Sequence, residues 1–283
     1  MRVIVLASGS SGNATVVEAN GACVLLDCGL SVRQLAARMA PHGLHPHDVQ
    51  AVFLTHEHID HVRGLEVLQK KHQIPVFATT GTARALAGRV AVQPALRSGH
   101  EVFHEGLGVL PVATSHDAAE PVGFVLRHGG FQLGMVTDTG VMTELLLERL
   151  GGCHALLLEA NHDLDMLRIG SYPWPLKQRI RSSTGHLSNC QARAALERLV
   201  GPELRMVVAM HLSQENNTPG LARQELDRVL AGSLARCTVS TQEEPLVVDL
   251  GALSPDADGG VRLDYQLSTL NRSAGGPAHG PHS

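Results

Sequence analysis

The segment Thr55-His56-Glu57-His58-Ile59-Asp60-His61 places His56, His58, Asp60 and His61 within six residues. Imidazole nitrogens and carboxylate oxygens without a thiolate are a ligand set for divalent Zn, Mn or Fe. The segment follows the apolar run Ala51-Val52-Phe53-Leu54, which reads as a buried strand, and helical periodicity begins near His61. A strand-to-helix loop can fold several imidazoles and a carboxylate around one point, which a continuous helix or strand cannot do. A solvated polar turn would not call for so many ligand types directly after a buried strand. Glu57 is expected to point away from the cluster.

The elements that must position this loop follow from periodicity. Strands are expected near residues 2–7, 14–18, 22–27, 51–54, 75–78, 108–113, 122–127, 131–137, 155–159, 205–210, 236–240 and 245–250. Asn20-Gly21 and Gly129-Gly130 read as hairpin turns. Helical spacing marks 31–40, 61–71, 80–87, 143–150, 174–182, 189–200 and 219–231, with Ser31, Thr143, Asn189 and Thr218 as N-caps. Two strand-rich runs, each followed by helices, predict an α/β or α+β layered domain with helices covering two packed sheets.

Composition bounds the rest. The chain has 283 residues, 43% of them hydrophobic and 18% charged, enough apolar content for a large core. No apolar run reaches the ~18 residues that span a bilayer, which excludes a helical membrane protein. The opening Met1-Arg2-Val3-Ile4-Val5-Leu6-Ala7 stops at Ser8-Gly9-Ser10-Ser11-Gly12, too soon for a secretory signal. It reads as a first strand, and the protein as cytoplasmic. Five scattered cysteines with no Cys-x-x-Cys argue against a disulfide framework. A net charge of −4 gives no overall attraction to nucleic acid, and 3% aromatic residues argue against a stacking surface.

His-x-His-x-Asp-His is the signature of the metallo-β-lactamase fold superfamily, and further parts of that pattern follow in order at strand ends: Asp27, His116, Asp138 and His211. The resemblance covers roughly residues 2–250 and implies a four-layer αββα sandwich. Carried over residue by residue, it implies that His56, His58 and His116 bind one divalent metal. Asp60, His61 and His211 would bind a second, with Asp138 bridging. Asp27 would be a carboxylate outside the ligand set that orients the histidine-rich loop. Two such ions activate a bridging water and neutralise charge on a phosphoryl or carbonyl oxygen. The leaving oxygen then needs a proton. Gly185-His186-Leu187-Ser188-Asn189 resembles an element of phosphodiesterase members such as tRNase Z, which makes His186 the general acid and Glu159 its orienting partner. With Asp60 they form the catalytic set. The ordinary alternative is that His186 and Ser188 cap the helix starting at Asn189.

Five segments together, Ala7–Asn13, Ser115–Phe124, Glu159–Asp163, Tyr172–Ile180 and Gly185–Asn189, resemble the YycJ/WalJ group, densely over residues 2–217. That resemblance implies a metal-dependent 5′→3′ exonuclease on double-stranded DNA ends. Asn13, Ser188 and Lys177 are the substrate-binding candidates. Lys177, Arg179 and Arg181 with Trp174 and Tyr172 read either as a phosphate-binding strip or as a solvated helix face with Trp174 packed inward. Ser8–Asn13 is a turn between strands that could also line the cleft. Cys28 reads as a small buried residue. The hydrolase domain is expected over 1–252, with a C-terminal extension at 253–283, disordered from about 271. Two rivals remain: a hydrolase of another ester class (thioester, lactone or β-lactam) on the same scaffold, and a metal-binding protein without turnover.

Overall fold

A computed structural model describes residues 1–250, so the expected extension at 253–283 lies outside the described residues. The first sheet holds β1 (Arg2–Ala7), β2 (Ala14–Ala19), β3 (Ala22–Leu26), β4 (Ala51–Phe53), β5 (Val76–Thr79), β6 (Val92–Leu96) and the last strand, β14 (Leu246–Asp249). The second holds β7 (Val102–His104), β8 (Leu107–Ala113), β9 (Val122–His128), β10 (Phe131–Val136), β11 (Ala155–Glu159), β12 (Met206–Met210) and β13 (Arg236–Val239). Their orders are β14-β1-β2-β3-β4-β5-β6 and β13-β12-β11-β10-β9-β8-β7. The helices are α1 (Val32–Met39), α2 (Ile59–Val62), α3 (Leu65–His72), α4 (Thr80–Ala85), α5 (Glu144–Leu150), α6 (Leu164–Ile169), α7 (Trp174–Ile180), α8 (Asn189–Leu199) and α9 (Pro219–Leu230).

Alternation along the strands explains the four layers. Val3 and Val5 face a core shared with Phe124, Leu157 and Val208 of the other sheet. Ile4 and Leu6, on the opposite face of β1, pack with Leu35, Leu65 and Leu68 of α1 and α3. Leu156 and Val207 of the second sheet pack outward on Leu146, Leu196 and Leu226 of α5, α8 and α9. Strands covered on both faces read as continuous apolar runs, which is why they are legible. The expected αββα sandwich is the observed architecture.

Local expectations needed four corrections. The helix expected over 61–71 is two helices, because Gly64 packs its backbone on Leu30, where a Cβ would stand 1.9 Å from the carbonyl oxygen. The N-cap of α8 is Ser188, not Asn189, which is the first helical residue. Trp174 is 64% exposed rather than packed inward. The short strands β6 and β7 and helix α6 carry no expected element. β6 is a sheet edge interrupted by Pro94, and such strands lack an alternating pattern.

Candidate metal centre

Ligand-type side chains gather where the chain leaves its strands. Asp27 and His211 directly follow β3 and β12, and Asp138 stands two residues past the end of β10, each with φ between 55 and 59°. Left-handed backbone is uncommon outside glycine, and non-glycine residues held there mark sites over-determined by their surroundings. The loop after β4 carries His56 and His58, and α2 carries Asp60 and His61. Backbone bonds weave these loops together. Asn13 N donates to Asp60 O at 2.8 Å, Cys28 N to His61 O at 2.7 Å, and Gly29 N to Asn13 O at 2.8 Å.

His56, His58 and His116 bring ring nitrogens within 4.8 Å of one another, and Asp60, His61 and His211 form a second such group. Asp138 lies between them. Its Oδ2 is 3.3 Å from His61 Nε2, and its Oδ1 is 3.3 Å from His211 Nδ1 and 3.8 Å from His116 Nε2. His56 Nε2, His211 Nε2 and Asp138 Oδ2 are buried without a hydrogen-bond partner. Orphaned buried polar atoms are rare, and divalent cations satisfy these three. The donor set therefore fits divalent metal ions.

Second contacts hold the cluster. Asp27 Oδ1 accepts from Thr55 N at 2.8 Å, and its Oδ2 lies 2.8 Å from His61 Nδ1. Thr55 Oγ1 lies 3.0 Å from His56 Nδ1. Glu57 is turned away from the cluster and accepts from Ala119 N at 2.7 Å. Glu159, fully buried, reaches His186 Nδ1 at 2.9 Å and His211 Nδ1 at 3.1 Å with one oxygen. Its other oxygen accepts from Thr139 N and Leu187 N. Burial pushes the Glu159 carboxyl up, but the His186 and His211 imidazoles outweigh it and hold it at about 2. Burial pushes His186 down, and Glu159 more than reverses this. Likewise burial opposes charge on His211, yet Asp138, Asp60 and Glu159 raise it to about 10. Burial and neighbouring His61 keep His56 well below its ordinary value, so its nitrogen is free to ligate. The Cys28 thiol is pushed up to about 12 by burial and the Asp27 charge, and is inert.

Of the three expected substrate contacts, Asn13 stands at the cluster, and Ser188 and Lys177 have side chains committed elsewhere. Asn13 is buried against the cluster, its Nδ2 3.3 Å from Asp60 Oδ2 and 3.1 Å from His61 Nε2. The Ser188 hydroxyl is buried in the capping box of α8 with Gln191, not turned to the cleft. Lys177 donates to the carbonyls of Arg168 and Gly170 and so closes the end of α6. A cavity of about 210 Å³ opens beside His116 and His186, with Ser10, Asn161, Ser213 and Arg179 on its walls. Ser10 lies in the Ser8–Asn13 turn expected beside the cleft, and Asn161 in the Glu159–Asp163 segment of the resemblance; Ser213 carries no signal beyond standing two residues after His211.

A β-lactamase superfamily domain model matches residues 23–212. The chain belongs to that superfamily. It is 35% identical over 236 residues to the exodeoxyribonuclease YycJ of Bacillus anthracis, covering 80% of this chain and 88% of that one. It is 34% identical over 234 residues to the exodeoxyribonuclease WalJ of Streptococcus pneumoniae serotype 2 (strain D39), covering 80% and 87%. The metallo-β-lactamase fold protein YhfI of Bacillus subtilis superposes with a TM-score of 0.68 at 14% identity, over 87% of this chain and 98% of that one, and shares the fold. The superfamily membership makes the chain a metallo-β-lactamase-fold hydrolase, and its relatives support a metal-dependent nuclease. No helix among the described residues is long and apolar enough to cross a membrane.

Proposed function

We propose that the protein is a two-metal phosphodiesterase that removes nucleotides 5′→3′ from double-stranded DNA ends. His56, His58 and His116 would hold one divalent ion and Asp60, His61 and His211 the other, with Asp138 between the two groups. When bound, the ions supply positive charge against the phosphoryl oxygens and activate water for attack. Zn, Mn and Fe all suit these donors.

The observation that carries the reading is the Glu159–His186 pair at the cluster's edge. Glu159 Oε1 holds His186 Nδ1 at 2.9 Å, so the Nε2 edge of a ring 22% exposed is left for the substrate. The ring centroid is 5.1 Å from that of His116 and 5.2 Å from that of His211. As water adds to phosphorus and the P–O3′ bond breaks, His186 Nε2 gives its proton to the departing oxygen. A thioester has less need of such a donor, because a thiolate leaves more readily than an alkoxide. The names of the YycJ and WalJ relatives point the same way.

The test uses purified protein loaded in turn with Mn and Zn, given 5′-labelled duplex DNA, nitrocefin and an acyl thioester. Release of labelled mononucleotide from the duplex is expected. Turnover of nitrocefin or thioester with intact DNA would replace this reading by the other ester class. His58→Ala should abolish turnover with an unchanged circular dichroism spectrum. Full turnover in that variant, or none in the metal-loaded parent, overturns the proposal.

A further inference from the structure

We propose that the cavity beside His186 is a subsite for a 5′-terminal phosphate, with Arg179 binding the phosphate and Asp117 positioning Arg179. The inference rests on the phosphodiesterase reading above and specifies the substrate end that the site takes.

Helix α7 presents one face to this cavity. Tyr172, just before the helix, and Leu176, Arg179 and Ile180 on it line the wall, at the spacing of a single helical face. The other cations of the segment point elsewhere: Lys177 is committed to the end of α6, and Arg181 does not line the cavity. Arg179 is thus the one Lys or Arg on the cavity wall among the described residues. Its Nε donates to Asp117 Oδ2 at 2.6 Å, and one Nη lies 2.6 Å from the same oxygen. That uses one edge of a guanidinium with five donors and leaves the other edge for a bidentate phosphate.

Asp117 itself is fixed. Its N–H donates to Thr184 O at 3.1 Å, its carbonyl lies 3.2 Å from His58 Nε2, and its Oδ1 is 3.4 Å from His116 Nε2. The ion pair therefore holds the guanidinium at a set distance from the histidine cluster. The end of α7 is tied to the proposed proton donor as well, since His186 N donates to Ile180 O at 2.9 Å. Across the cavity, Ser10, Asn161 and Ser213 offer neutral hydrogen-bonding groups, and Leu176 and Ile180 offer apolar surface. With Asp117 on the same wall and paired to it, Arg179 stands among the His116 and His186 rings, neutral polar groups and apolar surface, a lining that matches a nucleoside monophosphate. The volume, about 210 Å³, is below the ~300–1,000 Å³ of ordinary ligand pockets, so it takes one nucleotide unit rather than a run of strand. A phosphate that enters a one-unit cavity beside the cleft is a terminal one.

The experiment uses the metal-loaded full chain and three otherwise identical duplexes ending in 5′-phosphate, 5′-hydroxyl or 3′-phosphate. The expected parent preference for the 5′-phosphorylated end is tenfold or more in kcat/KM. Arg179→Ala should bring that ratio close to one, mainly through KM for the phosphorylated end. Arg179→Lys should restore part of it, and Asp117→Asn should lower it less than Arg179→Ala. In parallel, calorimetric titration compares thymidine 5′-monophosphate with thymidine. Binding of the monophosphate should weaken at least tenfold in Arg179→Ala, with thymidine binding unaltered. A parent enzyme indifferent to the end group, a parent that favours the 3′-phosphate, or an Arg179→Ala variant that keeps the preference overturns the proposal. If no duplex is cleaved, the phosphodiesterase reading fails, and the titration decides alone: equal monophosphate binding by parent and Arg179→Ala then overturns the phosphate site too.

Discussion

Two buried residues outside the ligand groups set how the cluster behaves. Asp27 meets Thr55 N, Thr55 Oγ1 and His61 Nδ1 at 2.8–3.0 Å and has left-handed backbone. Asp27→Asn keeps the shape but places an amide where a carboxylate accepts several donors, so His61 loses its orientation. Metal affinity should fall about 10–100-fold, measured by competition with a chromogenic chelator. An unchanged affinity would show that His61 is aligned by Thr55 alone. His162 is buried, and neither ring nitrogen has a hydrogen-bond partner. Burial lowers it from 6.5 to about 4. A histidine with a depressed folded value takes up its proton more readily when unfolded, so its stability contribution is present above pH 6.5 and is lost as pH falls toward 4. The loss is about 1.4 kcal/mol per pH unit across that window. In chelator-treated protein, urea unfolding of His162→Gln should therefore fall less steeply between pH 6.5 and 4.5 than the parent. Identical slopes would place the proton elsewhere.

At the scale of elements, the site depends on backbones that approach closely. A Cβ on Gly29 would stand 1.7 Å from Asp60 O and 2.5 Å from Asn13 N. These are backbone atoms in the weave that joins the loops after β1, β3 and β4, so no side chain can move to make room. Gly29→Ala should lower stability by at least ~3 kcal/mol, near the upper end of overpacking costs. It should also weaken metal binding, because Asp60 is on the displaced segment. A melting temperature within a degree of the parent would show that the weave is not needed. Gly185 is the equivalent point on the other side: its Cβ would stand 2.2 Å from Ile180 O and 2.3 Å from Arg179 O. The same distinction explains what the sequence made legible. His56, His58, Asp60 and His61 are close in the chain and follow a buried strand, so they announce themselves. Ser188 and Lys177 were placed near the right elements, but the direction of their side chains is decided by Gln191 and by the carbonyls ending α6. Those contacts form only once α6, α7 and α8 are in place.

For the whole molecule, strand order was less legible than strand existence. The first sheet closes with β14 beside β1, a pairing between segments distant in sequence that no local pattern announces. The apolar alternation that builds the three core layers is nevertheless independent of the cluster. None of the residues in those layers is a proposed ligand. The ligands stand at one end of the strands, on loops already joined by backbone hydrogen bonds. Metal removal should therefore leave the far-UV circular dichroism unchanged and still cost stability. An ion that binds only the folded chain contributes about 2.7 kcal/mol at a concentration of 100 times its dissociation constant. For a domain of this size that corresponds to a rise of roughly 5–10 °C in melting temperature. Titrating Mn or Zn into chelator-treated protein should raise the midpoint by that amount, and His58→Ala should blunt the rise. Collapse of the secondary structure on metal removal would mean that the cluster, rather than the layered cores, holds the two sheets together.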